Sequence, residues 1–335
     1  MKKTLHYIRP LALIASLALF GYVLQRSGPE AVLHKIRLLG WGFAILILLS
    51  GAMQFLRAVA WSYCVPTPGL RPNPLDLFGP RLMGEALYDV TPAGPLLGET
   101  ARIAVVSRSI PGQAVASSVV IENLIFTLAA VLFMLSGLVL ALLKLAAPEG
   151  LGWITGELVT FTLAAIAVAW GMLRRRILLL GTTLDYLERR GLRWAFLDRH
   201  QPYLRAVELS TYDFFLTRKR IFLAVLGIEI AANLTGVCEA YFILKVTASQ
   251  ASLFAAYLAE AASRAAQFAF FFIPFGLGVQ EGVGAATLKA LGYAGAEGVS
   301  LAIIRKIRTV FWMAIGLLLA ARYSMAPPAE DGGTT

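Results

Sequence analysis

Charge is scarce in this sequence. Only 15% of its 335 residues are Asp, Glu, Lys or Arg, where a soluble domain carries about 25%. That excludes an ordinary soluble globular protein. Cysteine is scarcer still: Cys64 and Cys238 form neither a metal-ligand spacing nor a disulfide framework. The three histidines, His6, His34 and His200, are scattered near the ends of apolar runs, so no metal cluster is expected and no cofactor is implied. There is no Asp-x-Asp pair, no P-loop and no Gly-x-Ser-x-Gly elbow. ATP-driven pumping and hydrolytic catalysis by this chain are the weaker classes.

Hydrophobic length fills the gap. The composition is 58% hydrophobic and mean hydropathy is +0.70. Leu11–Leu24 and Phe43–Met53 hold no charge at all. A bilayer-crossing helix needs about 20 largely apolar residues, and six spans qualify, roughly at 8–25, 40–63, 113–144, 152–173, 221–245 and 297–321. The expectation is an all-α integral membrane protein with about six transmembrane helices and two re-entrant or broken helical hairpins. Lys2 and Lys3 before the first run resemble a signal peptide, but no small-x-small cleavage site follows, which favours a retained signal anchor.

The net charge of +10 does not point to nucleic acid. Basic residues gather between spans, above all in 174–220, and follow the positive-inside rule with attraction to anionic headgroups. That segment mixes Arg with Leu, Tyr, Trp and Phe, and reads as amphipathic helices along the cytoplasmic interface. Residues 1–325 are expected to form one transmembrane domain, with a disordered tail at 326–335.

Two segments between spans, 65–112 and 247–296, are broken by Pro and Gly. Pro92-Ala93-Gly94 is followed by Glu99, and Pro274-Phe275-Gly276 by Glu281, at identical offsets. Upstream, Arg81 and Glu85 precede the first motif as Arg264 and Gln267 precede the second. With matching hydropathy, these motifs suggest two inverted halves, about 40–145 and 221–321. Inverted repeats with discontinuous helices are a recurring plan of transporters whose substrate sites lie where the repeats meet. Pro92, Gly94, Pro274 and Gly276 are the expected helix breakers.

An ionisable side chain at the bilayer centre costs roughly 2.5–3.5 kcal/mol on insertion scales, yet many persist here. Arg81 and Glu85 share a helix face by their spacing of four, as do Glu260 and Arg264. Glu99 and Arg102 open a half-helix, while Arg305, Arg308 and Trp312 share a face of the last span. Glu229, Asn233 and Glu239 add a weaker signal from the fifth. Two readings stay open: the charges staple the bundle to itself, or they line a polar cavity. On the second, the substrate-binding candidates are Arg81, Glu85, Glu99, Arg102, Glu122, Arg264, Glu281, Arg305 and Arg308. The arginines would hold an anion through their forked donors, and the glutamates would orient them or take part in proton coupling.

The motifs Thr91-Pro92-Ala93-Gly94 with Gly98-Glu99-Thr100-Ala101-Arg102, and Ile273 through Glu281 with Arg305 beyond, resemble the lysylphosphatidylglycerol synthase transmembrane-domain family, also called the flippase-like domain family. The resemblance covers about 8–321, with Phe275 where the family pattern has glycine. It implies movement of lipid, phospholipid, glycolipid or hopanoid-type, between leaflets of a bacterial inner membrane. The soluble transferase domain of the best-known members has no counterpart here, so a stand-alone member is expected. The partners this implies are a membrane lipid and a lipid-biosynthesis enzyme, with no nucleic acid. An intramembrane lipid-modifying enzyme, or a scaffold of a lipid or hopanoid biosynthesis complex, are the alternative classes.

Overall fold

The computed structural model describes residues 39–67, 69–91, 94–144, 195–248, 250–270, 279–293 and 295–325, with isolated positions between 160 and 174. The expected spans at 8–25 and, apart from those isolated positions, 152–173 lie outside the described residues. So do the expected tail at 326–335 and three of the four helix breakers, Pro92, Pro274 and Gly276.

Among the described residues every regular element is helical. In chain order they are α1 (Gly42–Cys64), α2 (Pro74–Val90), α3 (Gly94–Val106), α4 (Gly112–Lys144), α5 (Ala195–Thr217), α6 (Lys219–Thr247), α7 (Leu253–Ala269), α8 (Val279–Ala290) and α9 (Gly295–Met325). Three of these, α1, α4 and α6, are long and apolar enough to cross a membrane. With 33 residues, α4 runs about 50 Å at 1.5 Å per residue, more than the hydrocarbon core of about 30 Å. The last expected span is also a long helix, α9, but Arg305, Lys306 and Arg308 interrupt its apolar run. The chain is an all-α membrane protein.

Local chemistry explains the breaks. Asn73 caps α2, its Oδ1 accepting from the Leu75 amide at 3.1 Å, and Pro74 occupies a first-turn position where no amide is needed. The helix stops at Thr91, in extended backbone, because a following proline disfavours the helical region for the residue before it. The chain resumes as α3 at Gly94, the remaining expected breaker. A Cβ at Gly94 would lie 2.0 Å from the Tyr88 carbonyl oxygen, so only glycine fits this turn.

The element order repeats. Cys64 closes α1 and Thr247 closes α6, while Gly112 opens α4 and Gly295 opens α9; both pairs are 183 residues apart. At this shift α2 and α3 correspond to α7 and α8. Contacts repeat as well: α1 packs along α6, α2 packs on α9, and α4 packs on α7. Lipid tails are as apolar as leucine, so helices in a bilayer associate through close packing of small residues and through polar contacts. Gly316 of α9 accordingly meets Leu82 and Ala86 of α2, and Gly137 of α4 meets Ala261 of α7. Large apolar side chains such as Leu48, Leu223 and Leu318 face outward instead.

Within the expected amphipathic segment, α5 buries Val207, Thr211, Tyr212 and Phe214 and packs on α4 and α6. Tyr203 Oη donates to the Gly112 carbonyl at 3.0 Å. Beyond α5, Arg218 donates to the carbonyls of Val65 and Pro66, tying the start of α6 to the end of α1.

Candidate functional site

In the first half, Glu122 sits in α4 almost completely buried and is gripped by two arginines. Its Oε1 accepts from Arg81 Nη1 at 2.7 Å and its Oε2 from Arg102 Nη2 at 3.0 Å. Arg102 also bonds Glu99 one turn earlier, at 3.0 Å, and its guanidinium lies 4.2 Å over the Trp61 ring, a cation–π contact. Trp61 is held in turn by its Nε1 donating to Ser118 Oγ at 2.9 Å. Four helices thus fix one carboxylate.

In the second half an arginine takes the central place between two glutamates. Arg305 of α9 lies between Glu260 of α7, at 2.5 Å, and Glu239 of α6, at 3.7 Å. Arg305 Nη2 also donates to the Gly236 carbonyl at 3.0 Å. Glu260 takes a second arginine, Arg264, at 3.0 Å, and Glu239 accepts from Arg308. Gly236 leaves room for this carboxylate, since a Cβ there would stand 2.6 Å from Glu260 Oε1 and push it aside.

Between the two clusters runs a cleft of about 520 Å³. Arg81, Glu85, Glu99, Arg102, Glu122, Arg264, Arg305 and Arg308 all line it. The side chain of Glu281 lies outside the described residues, although its neighbours Val279 and Gln280 are at the wall. Charge is only part of the lining: Phe126, Phe268 and Phe270 add an aromatic side, with Phe126 stacked on Phe268 at 6.4 Å between centroids.

Pairing departs from helix spacing at one place. Glu260 and Arg264 do bond across one turn, and so do Glu99 and Arg102. Arg81 and Glu85 do not pair; Arg81 goes to Glu122, and Glu85 accepts from Gln54 of α1. Trp312, on the arginine face of α9, donates its Nε1 to Ser50 Oγ of α1 at 2.7 Å. Glu239 lines the cleft, whereas Glu229 and Asn233 are buried behind it.

Other lining residues fall outside the sequence candidates. Arg57 of α1 lines the cleft with its guanidinium 4.8 Å from the Phe126 ring. A single arginine inside an apolar span was the available signal. Glu260, already paired with Arg264 by spacing, lines the wall too, and so does Asp89, which stands one turn from Glu85, the spacing that could have found it.

Nearly all these groups are compensated by an opposite charge, which lowers the cost of burying them. The arrangement can bind and orient a polar group among fixed donors and acceptors. Among the described residues no group of three or more His, Cys, Asp or Glu side chains is placed to hold a metal ion.

No curated protein and no solved structure matches the chain. A family model does, across residues 10–316, and it is described as the lysylphosphatidylglycerol synthase TM region. Since that match spans nearly the whole sequence, the chain belongs to the lysylphosphatidylglycerol synthase transmembrane-region family.

Proposed function

We propose that this protein moves a lipid between the leaflets of a bacterial inner membrane, its headgroup held in the cleft between the two helix repeats. The observation that carries the reading is the cleft's double character: fixed guanidinium and carboxylate groups from both repeats beside an aromatic side. A polar headgroup fits the first and the neck of an acyl or polycyclic tail fits the second. Phospholipid, glycolipid and hopanoid-type cargos share that amphiphilic form. The two repeats are taken to be inverted in the membrane, so that rocking one against the other exposes the cleft to each leaflet in turn.

The test is reconstitution of the full chain in liposomes carrying fluorescent phosphatidylglycerol, with an impermeant quencher reporting the outer leaflet. Lipid should exchange between leaflets faster than in protein-free vesicles. Gln267→Trp, which fills the cleft from an exposed lining position without touching an ion pair, should stop the exchange. Failure to accelerate any of a phospholipid, a glycolipid and a hopanoid probe would overturn the proposal. Recovery of a chemically altered lipid would assign an intramembrane enzyme instead. Co-purification with a synthase, without exchange activity alone, would assign a scaffold.

A further inference from the structure

On the far side of Arg57 from the cleft, a second polar group is sealed in. Glu229 and Asn233 are four residues apart on α6 and so share a face; both have an exposure of 0%. Neither Glu229 oxygen, and neither polar atom of the Asn233 side chain, has a hydrogen-bond partner among the described residues. Leaving such a group unmet costs about 1–3 kcal/mol, and more when it is charged. Among the described residues the cation paired with it is Arg57, whose Nε stands 3.8 Å from Glu229 Oε2, beyond hydrogen-bond range. Arg57 Nε and Nη2 likewise have no hydrogen-bond partner among the described residues. Arg57 therefore forms the wall between the cleft and the buried pair.

We propose that Glu229 and Asn233 form a proton-binding site linked, through Arg57, to an anionic headgroup in the cleft. The cargo half of this proposal rests on the lipid-carrying reading above. With no anion in the cleft, Arg57 neutralises the Glu229 carboxylate. An anionic headgroup draws the guanidinium toward itself, and Glu229 then takes one proton from solvent hydronium, which leaves as water. Its new O–H donates to Asn233 Oδ1, satisfying two buried groups at once. The anion's charge is balanced by Arg57 and that of Glu229 by the proton, so headgroup and proton enter and leave together.

The surrounding charges leave Arg57 as the link. Glu229 also feels Glu122 from α4, Arg81 from α2 and Arg264 from α7, and Cys64 of α1 lies within its field. Arg81 and Arg264 are already committed at hydrogen-bond distance, to Glu122 and Glu260. From α9, Arg305 and Arg308 are held farther along α6 at Gly236 and Glu239. The α5 contact is apolar, Phe214 packing with Val225 and Ala60. A divalent cation fits less well than a proton, because Ca²⁺ and Mg²⁺ take about six or more oxygen ligands and the side chains of Glu229 and Asn233 together carry only three.

Infrared difference spectra of the full chain, titrated with acid and base in nanodiscs, test this directly. Anionic phosphatidylglycerol discs are compared with discs of uncharged digalactosyl diacylglycerol. A protonated-carboxyl band should appear that Glu229→Gln removes. It should persist to higher pH in the anionic discs by about one to two pH units, the tenfold to hundredfold reciprocal coupling typical of linked sites. Arg57→Gln should erase the difference between discs, and Arg57→Lys, which keeps the charge and guards against misfolding, should retain it. Absence of the Glu229-dependent band, identical titration in both discs, or a band that follows sodium rather than pH would each overturn the proposal. Leaflet exchange measured on the same wild-type preparation separates that failure from failure of the lipid-carrying reading.

Discussion

Glu122 and Arg305 hold the same place in the two repeats, 183 residues apart, with opposite charge. Each lies ten residues beyond the first residue of its helix, Gly112 or Gly295. Each bridges two oppositely charged side chains from other helices: Arg81 and Arg102 for Glu122, Glu239 and Glu260 for Arg305. Arg81 and Arg264 keep both position and sign across the same shift. The halves are thus alike in layout and opposite in charge at the residue each cluster centres on, and the cleft between them has fixed charge of both signs on its walls.

Removing the carboxylate of Glu122 strands two buried guanidinium groups. Breaking a buried pair by deleting one partner costs about 3–5 kcal/mol, so Glu122→Gln should lower the thermal unfolding midpoint in detergent markedly. Glu99→Gln is the contrast. Its side chain is 30% exposed and Arg102 keeps Glu122, so the loss should be about 1 kcal/mol or less. Equal losses would show that the two carboxylates are equally embedded in the network, against the burial seen here.

A wet cleft and a lipid-facing surface differ in what reaches them. With Cys64 and Cys238 replaced by serine, Ser263→Cys places a thiol in the cleft. It should react readily with a charged, water-soluble thiosulfonate. Leu318→Cys lies on the outer face of α9, 71% exposed, but acyl chains should cover it there and keep the charged reagent away. The rates of modification in membranes check this, and faster labelling at 318 than at 263 would refute the assignment of faces.

The seam of the first hairpin should be intolerant of a single methyl group. A Cβ on Gly84 would lie 2.5 Å from the Cγ of Arg102 and 3.0 Å from the Gly98 carbonyl oxygen. Gly84→Ala should push Arg102 from Glu122, lowering both stability and leaflet exchange. At Gly227 of α6 a Cβ meets nothing within 4 Å, and alanine is the better helix former by about 1 kcal/mol. Gly227→Ala should leave exchange unchanged and raise the unfolding midpoint slightly.

Much of this was legible in the residues. Long, largely apolar runs announced α1, α4 and α6, and Thr91-Pro92 marked the end of α2 because proline restricts the residue before it. The pairs Glu99–Arg102 and Glu260–Arg264 followed from helix spacing alone. Partners between helices did not. Spacing favoured Glu85 for Arg81, but Glu122 accepts from both Arg81 and Arg102 while Glu85 turns to Gln54. Which helix faces which is set by packing, and a linear pattern does not carry that. Arg57 was hidden for a related reason: one charge in an apolar span reads as tolerable until its unmet nitrogens and its place on the cleft wall are seen.

The seams between the repeats offer a test in which one substitution should repair another. A Cβ on Gly137 of α4 would lie 2.4 Å from the Cβ of Ala261 on α7, with the next nearest atoms at 3.8 Å or more. Gly137→Ala should therefore destabilise the protein. Ala261→Gly should restore most of that loss, less about 1 kcal/mol for glycine inside a helix. At the corresponding seam between α9 and α2, a Cβ on Gly316 meets the Leu82 carbonyl oxygen at 2.3 Å as well as Ala86 Cβ at 2.6 Å. Trimming Ala86 to glycine leaves that backbone clash in place, so Gly316→Ala should stay unrescued by Ala86→Gly. Unfolding midpoints for both double-mutant cycles give the comparison. Rescue at 316 would mean that α2 can slide along α9, and no rescue at 137 would mean that the α4–α7 contact is not the one seen here.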